Sequence, residues 1–138
     1  MNPDCVVIDA NIAFKAMVSQ RGDLRERLDS SAKVKFYTPG SLFVELFKHK
    51  TRLAHATGLN NEELVQAMQA LVSRLEFVNE ANIPLGLWME AHRLCRDVDE
   101  ADTPYLALTL HLDGRLWTDD KKLKEALRAK GFTGFYEP

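Results

Sequence analysis

Short apolar segments alternate with longer helical stretches along this chain, and this alternation restricts the fold more than any other feature of the sequence. Strands are predicted at residues 5–9, 34–37, 75–78 and 115–118, with a weaker one near 132–136. Helices are predicted at residues 11–19, 23–28, 41–56, 62–74, 87–96, 103–112 and 121–130. Alternation of this kind is typical of a parallel sheet with helices packed on both faces. The sequence therefore predicts an α/β fold with a parallel sheet of four to five strands.

A single domain is predicted for residues 1–138. The sequence contains no internal repeat, no low-complexity tract and no linker rich in Pro, Gly or Ser. Its 46% hydrophobic and 28% charged residues are typical of a soluble globular protein. This composition excludes the disordered and fibrous classes.

The chain lacks the patterns of a membrane or secreted protein. No segment approaches the roughly 18 consecutive apolar residues of a membrane span. Its first residues are polar and acidic, where a signal peptide would have basic residues and then an apolar run. We therefore expect a cytoplasmic protein with no membrane partner. The net charge of −2 gives no overall attraction to nucleic acid, so such a partner would need local basic patches or a bound metal.

Local signals predict where several helices begin and end. Thr38 before Pro39 predicts an N-cap with proline at the first helical position, and Gly58 predicts the end of that helix. Asn60 or Asn61 predicts the cap of the next helix. These signals place helix starts just after the predicted strands, where polar side chains collect.

Four acidic residues lie where an apolar strand stops or a helix begins: Asp9, Glu45, Asp102 and Asp120. In parallel sheets, ligands collect at the carboxyl ends of the strands, which is where Asp9 and Asp120 are predicted. Glu45 lies early in the helix that follows the second strand, at the same end of the sheet. Carboxylates gathered in one buried place repel one another, and a cation removes that cost. The pattern predicts a divalent-metal pocket.

Each acid also has an interpretation that needs no metal. Asp9 and Asp102 could each cap the helix that follows. Glu45 could be a surface carboxylate paired with Lys48 or His49. These alternatives stay open at the level of sequence.

Neighbouring side chains extend the predicted site. Asp99 is an additional ligand candidate beside Asp102, and Asp119 competes with Asp120, because consecutive residues of a strand point in opposite directions. Basic side chains next to the predicted ligands are candidates for contacting substrate phosphates, although such residues are often only solvated: Lys48, Arg52, Lys121 and Lys122.

Other side chains are predicted to serve the core or local contacts. Cys5 and Cys95 are too few for a disulfide framework or a zinc site, and are predicted to be reduced core residues. The histidines are predicted to lie on helix surfaces or to make local contacts. Most of a set of aromatic side chains are assigned to the core: Phe14, Phe36, Phe43, Phe47, Phe77 and Trp117. Trp88 and Tyr105 are left open, and the apolar segment 85–89 fits either a dimer face or burial in the monomer.

Taken together, these residues resemble the four motifs of PIN-domain nucleases, including the VapC-like toxins. The resemblance covers nearly the whole chain and follows the family order. It rests on Val-Ile-Asp-Ala-Asn ending at Asn11, the helical Glu45, Asp-Thr-Pro-Tyr-Leu-Ala-Leu from Asp102, and Leu-Trp-Thr-Asp-Asp-Lys-Lys-Leu ending at Leu123.

The resemblance implies that Asp9, Glu45, Asp102 and Asp120 are metal ligands and catalytic residues, with Asn11 and Thr118 in supporting positions. The Thr-x-Asp pattern of the family favours Asp120 over Asp119. Asn11 departs from the family, since many relatives carry a second Asp there. This difference implies one tightly held metal, with a second bound only alongside substrate.

The implied function is that of an endoribonuclease dependent on Mg²⁺ or Mn²⁺, in which a metal-activated water hydrolyses RNA phosphodiester bonds. For toxin members the resemblance also implies homodimers and inhibition by an antitoxin protein. Two alternatives remain from the residues themselves. A metal-dependent phosphatase or phosphoacceptor domain also has an Asp after its first strand, but needs a second acid where Asn11 or a neighbour stands. A non-catalytic RNA- or protein-binding module of the same fold has no reason to keep all four acids.

Overall fold

Four parallel strands form the sheet of the computed structural model, which describes residues 2–18 and 33–138. In chain order they are β1 (Cys5–Ile8), β2 (Lys35–Pro39), β3 (Glu76–Val78) and β4 (Arg115–Trp117). Their order across the sheet is β3-β2-β1-β4, and β1 pairs with both β2 and β4. The predicted α/β fold is therefore confirmed. The weak strand near 132–136 is reduced to one bridge between Leu116 and Phe135.

The apolar run of β1 explains its central position. Val6, Val7 and Ile8 are fully buried, as expected for a strand covered on both faces. Val6 and Ile8 belong to one hydrophobic cluster and Val7 to another, because successive side chains point to opposite faces of a sheet. Two cores thus lie on the two sides of one sheet.

Seven helices surround the sheet in the described part of the chain. Their bounds are α1 Ala10–Val18, α2 Ser41–Lys48, α3 Lys50–Thr57, α4 Asn61–Val72, α5 Leu85–Cys95, α6 Thr103–Leu112 and α7 Lys121–Ala129. Two short 3₁₀ turns, Glu80–Asn82 and Glu100–Asp102, precede α5 and α6. Helices α2, α3 and α4 pack with α1, whereas α5 packs with α6 and α7. The helix predicted at 23–28 lies outside the described residues.

The predicted helix at 41–56 has a different start and a break. Thr38 and Pro39 belong to β2, so the predicted Thr38 cap is wrong. The Ser41 backbone N–H and hydroxyl instead donate to Glu80 Oε1, at 2.6 and 2.5 Å. A carboxylate from another segment satisfies the orphan donors of this helix end, so no local cap is needed. The helix is interrupted at His49, which separates α2 from α3.

The other boundary signals are confirmed. Gly58 ends α3 with a φ of 72°, a left-handed conformation in which glycine carries no steric cost. Asn60 caps α4 through a reciprocal pair of hydrogen bonds with Glu63. Local chemistry therefore determines the α3–α4 connection.

Two aromatic assignments to the core are wrong. Phe43 and Phe47 are 41% and 62% exposed, whereas Leu42 and Leu46 are the buried side chains of α2. The two phenylalanines lie one residue further round the helix, so they face α4 and the edge strand β3 at the surface. There they line a shallow apolar pocket of about 160 Å³, and the Phe43 ring stacks on Phe77 with the centroids 4.4 Å apart.

The alternative that the segment 85–89 is buried in the monomer is also wrong for the two ends of this segment. Leu85 and Met89 on α5 are 74% and 65% exposed.

The cysteines are both free thiols, with Cys95 buried and Cys5 half-buried. Burial raises the pKa of Cys95 to about 12, which keeps this thiol protonated and unreactive.

Within residues 2–18 and 33–138, no helix has the length and apolar character needed to cross a membrane.

Candidate active site

Asp9 is the first polar residue after the buried strand β1, and it is only 3% exposed. Its Oδ1 accepts a hydrogen bond of 2.9 Å from the Ile12 backbone N–H, so the helix-capping interpretation is correct. Burial raises the pKa of Asp9, as do the charges of Asp119 and Asp120, whereas hydrogen bonds from Thr118 and Ile12 oppose the rise. Asp9 is therefore a buried carboxyl group with fixed geometry and neighbouring negative charge.

Glu45 lies one turn into α2 and is half-buried. Its Oε2 is 3.5 Å from His49 Nε2, so the sequence-predicted neighbour is present. The His49 ring meets the Phe14 ring edge-on, with the centroids 5.5 Å apart. The i, i+4 spacing places His49 beside the carboxylate. His49 thus makes the local contact predicted for it.

Asp102 ends the 3₁₀ turn before α6. Its side chain makes no capping hydrogen bond, so the capping interpretation is wrong for this residue. Asp99 caps the turn by accepting a 3.0 Å hydrogen bond from the Ala101 N–H. The pKa of Asp102 is raised to about 7, mainly by burial and in smaller part by the charges of Asp99, Asp9 and Asp120. A cation beside Asp102 would relieve both effects.

Three of the four predicted acids line one cavity of about 240 Å³: Asp9, Glu45 and Asp102. The alternative ligand Asp99 and the phenol of Tyr105 line it too. Residues from both ends of the chain therefore share one small polar space at the carboxyl end of β1.

The fourth predicted acid, Asp120, lines an adjoining cavity of about 680 Å³ together with Asp119. The two cavities share three lining residues: Asn11, Phe14 and Arg52. Asp120 Oδ1 accepts a 3.1 Å hydrogen bond from the Leu123 N–H and so caps α7. Its charge nevertheless raises the pKa of both Asp9 and Asp102.

The supporting residues take distinct positions. Thr118 hydrogen-bonds to Asp9 and accepts a 3.2 Å hydrogen bond from the Asp120 N–H. Asp119 turns toward α1, where its Oδ2 is 2.7 Å from Lys15 Nζ. Asn11 is exposed at the cavity rim. Thr118 thus connects two of the acids, whereas Asp119 has a cationic partner of its own.

The types of ligand at this site suit a divalent cation, although the described side chains are not already arranged around one. Among residues 2–18 and 33–138, no three His, Cys, Asp or Glu side chains are already arranged to hold a metal ion. The ligands on offer are carboxylate oxygens, which suit Mg²⁺ and Mn²⁺. Asp9 and Asp102 have raised pKa values, and the buried Tyr105 hydroxyl beside them has no hydrogen-bond partner in the described part of the chain. These features are those of a site in which negative charge is not yet balanced.

The four predicted phosphate-binding side chains are exposed, and one of them lines the cavities. Arg52 lines both cavities, and its guanidinium lies 5.7 Å from the centre of the Phe14 ring. Lys48 is exposed at the end of α2, and Lys121 and Lys122 are exposed in the first turn of α7. Their contact with phosphate stays a prediction.

Sequence reasoning missed three side chains that shape the site. Phe14 lines both cavities, Lys15 pairs with Asp119, and Tyr105 faces the acids from α6. Spacing offered one usable signal, because Tyr105 lies three residues after Asp102, about one helical turn, which places the two side chains on the same side. No sequence signal links Lys15 to a residue 104 positions away.

The free energy of unfolding of the metal-free protein is expected to fall as the pH rises from 3.8, the ordinary pKa of an aspartic acid, to about 7. Because the pKa of Asp102 is raised, the folded chain binds more protons than the unfolded chain in this window, so stability is greatest at its acidic end. Urea unfolding across this range measures the fall. Asp102→Asn should make it shallower, and an unchanged slope in the variant would contradict the assignment.

Comparison with known proteins agrees with this architecture. Residues 7–129 match the family of the PIN domain. Among solved structures, one similar chain comes from the crystal structure of VapBC2 from Rickettsia felis bound to a DNA fragment from their promoter. It superposes with a TM-score of 0.71 at 15% identity, over 88% of this chain and 92% of that chain. At this identity the likeness concerns the fold. No curated protein sequence gives a significant match.

Proposed function

Because this chain belongs to the PIN domain family, we propose that it is an endoribonuclease dependent on Mg²⁺ or Mn²⁺ and the toxin of a toxin–antitoxin pair. The observation that supports this proposal best is the cavity lined by Asp9, Glu45 and Asp102. Two of these carboxyl groups have raised pKa values, so a bound cation would stabilise their ionised forms.

Asp9, Glu45 and Asp102 would hold the cation, with Asp120 contributing from the adjoining cavity. When bound, such an ion lowers the pKa of a water molecule and stabilises the charge that develops on the phosphate. The chain's own part is to fix the ligands. The Ile12 N–H and Thr118 hold the Asp9 carboxylate in place, so its orientation does not have to be established when the ion arrives.

The substrate phosphates would lie across the two adjoining cavities. Arg52 lines both, so its guanidinium can neutralise a phosphate that spans them. Lys48, Lys121 and Lys122 would contact phosphates on either side. Because backbone contacts position a strand without reading its sequence, these cations would set affinity and not target choice.

The proposed partners are an antitoxin protein and a second copy of the chain, in the cytoplasm. The similar solved structure is that of VapBC2 bound to a DNA fragment from their promoter, which supports a protein partner by analogy. The exposed apolar side chains of Leu85 and Met89 offer surface for such a contact. Both partners can be tested by measuring the mass of the purified protein alone and of the protein co-expressed with its neighbouring gene product.

Removal of divalent metal is expected to abolish RNA cleavage. The assay uses a labelled single-stranded RNA with Mg²⁺ or Mn²⁺, with EDTA, and with excess Mn²⁺ added back after EDTA. Single-stranded DNA of the same sequence is the matched substrate control. We expect cleavage of RNA only, lost with EDTA and restored by Mn²⁺. Equal cleavage with and without EDTA would overturn metal dependence, and cleavage of DNA alone would overturn the ribonuclease assignment.

A further inference from the structure

The hydroxyl group of Tyr105 is a buried polar atom at the candidate site. Tyr105 is 3% exposed, and its oxygen makes no hydrogen bond within the described residues. The side chain lines the cavity formed by Asp9, Glu45 and Asp102. A buried O–H that donates to nothing costs stability, so its retention beside three carboxylates needs an explanation.

The phenol keeps its proton, which makes it a donor. Burial raises the pKa of Tyr105, and the charges of nearby carboxylates raise it further. Glu45 has the largest of these charge effects, followed by Asp9 and Asp102. An un-ionised phenol can offer one hydrogen bond to a carboxylate oxygen.

Within the described residues, two of the predicted ligands, Glu45 and Asp102, have no fixed hydrogen-bond donor, and of these two Glu45 has the stronger charge effect on Tyr105. Asp9 already accepts from Ile12 and Thr118, and Asp120 accepts from Leu123. For Glu45 the structure records only the 3.5 Å approach of His49. Its side chain therefore has an oxygen available for a better donor.

We propose that Tyr105 is a positioning residue, whose hydroxyl donates a hydrogen bond to the Glu45 carboxylate when a divalent cation occupies the cavity and so orients Glu45 as a ligand. This role rests on the proposed metal-dependent function. A carboxylate that binds a metal through one oxygen is typically held by a hydrogen bond to the other, and loss of such a contact typically weakens metal binding by roughly 10–100-fold. In the metal-free protein the hydroxyl has no partner among residues 2–18 and 33–138, so its removal should not lower the stability.

The test compares Tyr105→Phe with Thr38→Val. Thr38 is a matched control, because its hydroxyl is also buried and has no partner among the described residues, but Thr38 does not line the cavity. Mn²⁺ affinity is measured by calorimetric titration, and the melting temperature is measured without metal. We expect Tyr105→Phe to bind Mn²⁺ about 10–100-fold more weakly while melting at or above the wild-type temperature. Thr38→Val should bind Mn²⁺ like the wild type.

A double-mutant cycle shows whether Tyr105 acts through Glu45. If it does, Tyr105→Phe should weaken Mn²⁺ binding much less in a Glu45→Gln background than in the wild type. Wild-type affinity in Tyr105→Phe, a lower metal-free melting temperature, or equal losses in both backgrounds would each overturn the positioning role. If the wild type itself fails to bind Mn²⁺, the proposed function falls as well, which distinguishes the two failures.

Discussion

Asp9→Asn is expected to lower RNA cleavage by roughly 100- to 1000-fold while raising the melting temperature of the metal-free protein. A metal site supplies several kcal/mol to the transition state, and each tenfold in rate corresponds to about 1.4 kcal/mol. The stability gain has a separate cause, because burial and the charges of Asp119 and Asp120 disfavour the ionised form of Asp9. A neutral amide removes that penalty and keeps an oxygen that can accept the Ile12 hydrogen bond.

Added Mn²⁺ should stabilise Asp9→Asn less than it stabilises the wild type, because ligand binding to the folded state is what raises the melting temperature. Asp97→Asn is the matched control. Asp97 is exposed and pairs with Lys130, away from the cavity, so this variant should keep its cleavage rate and its response to Mn²⁺. If Asp9→Asn melted at a lower temperature than the wild type without metal and cleaved RNA at the wild-type rate, only a capping role would remain for Asp9.

Trp117→Ala is expected to lower the free energy of unfolding by about 3–5 kcal/mol. Trp117 ends β4 and is 1% exposed. Its ring packs against Phe36 and Tyr136, with centroid distances of 5.7 and 5.2 Å. The truncation therefore removes a large apolar side chain and leaves a cavity behind it. Since domains of this size are stable by only about 5–15 kcal/mol, the loss is a large part of the total.

Urea unfolding measures this loss, and Trp88→Ala provides the comparison. Trp88 is half-buried at a surface groove on α5, so its truncation should cost well under half as much. The same substitution at the two tryptophans isolates the effect of burial. Equal losses at both positions would show that the core around β4 is not what stabilises the fold.

Strand and helix positions could be predicted where the signal is local. The apolar run Val6, Val7 and Ile8 identifies a doubly covered strand without any knowledge of its neighbours. Gly58 and Asn60 marked the connection between α3 and α4 because conformational freedom and capping act within a few residues. These elements lie close to their predicted bounds.

Prediction failed where a distant residue decides the outcome. The cap of α2 is Glu80, which lies 39 residues along the chain from its partner Ser41. No local pattern could reveal that contact, and the proline at the end of β2 gave a misleading signal. The exposure of Phe43 and Phe47 likewise depends on which neighbour α2 packs against, which composition does not determine.

In the candidate site, too, some features could be predicted from the sequence and others depend on contacts between distant residues. The sequence indicated Asp9, Glu45 and Asp102 as acids at one end of the sheet, and the structure brings them to one cavity. Their role as metal ligands stays a prediction. The structure separates Asp120 into the adjoining cavity and pairs Asp119 with Lys15.

The sequence by itself determined the class of fold and the residues that end its strands, because hydrophobic periodicity and turn chemistry act over short distances along the chain. Tertiary structure alone decided which carboxylates share a cavity and that Tyr105 lines the same cavity, with a hydroxyl that has no partner within the described residues. The reason is physical, since burial, charge repulsion and hydrogen bonding between remote segments arise only once the helices pack on the sheet.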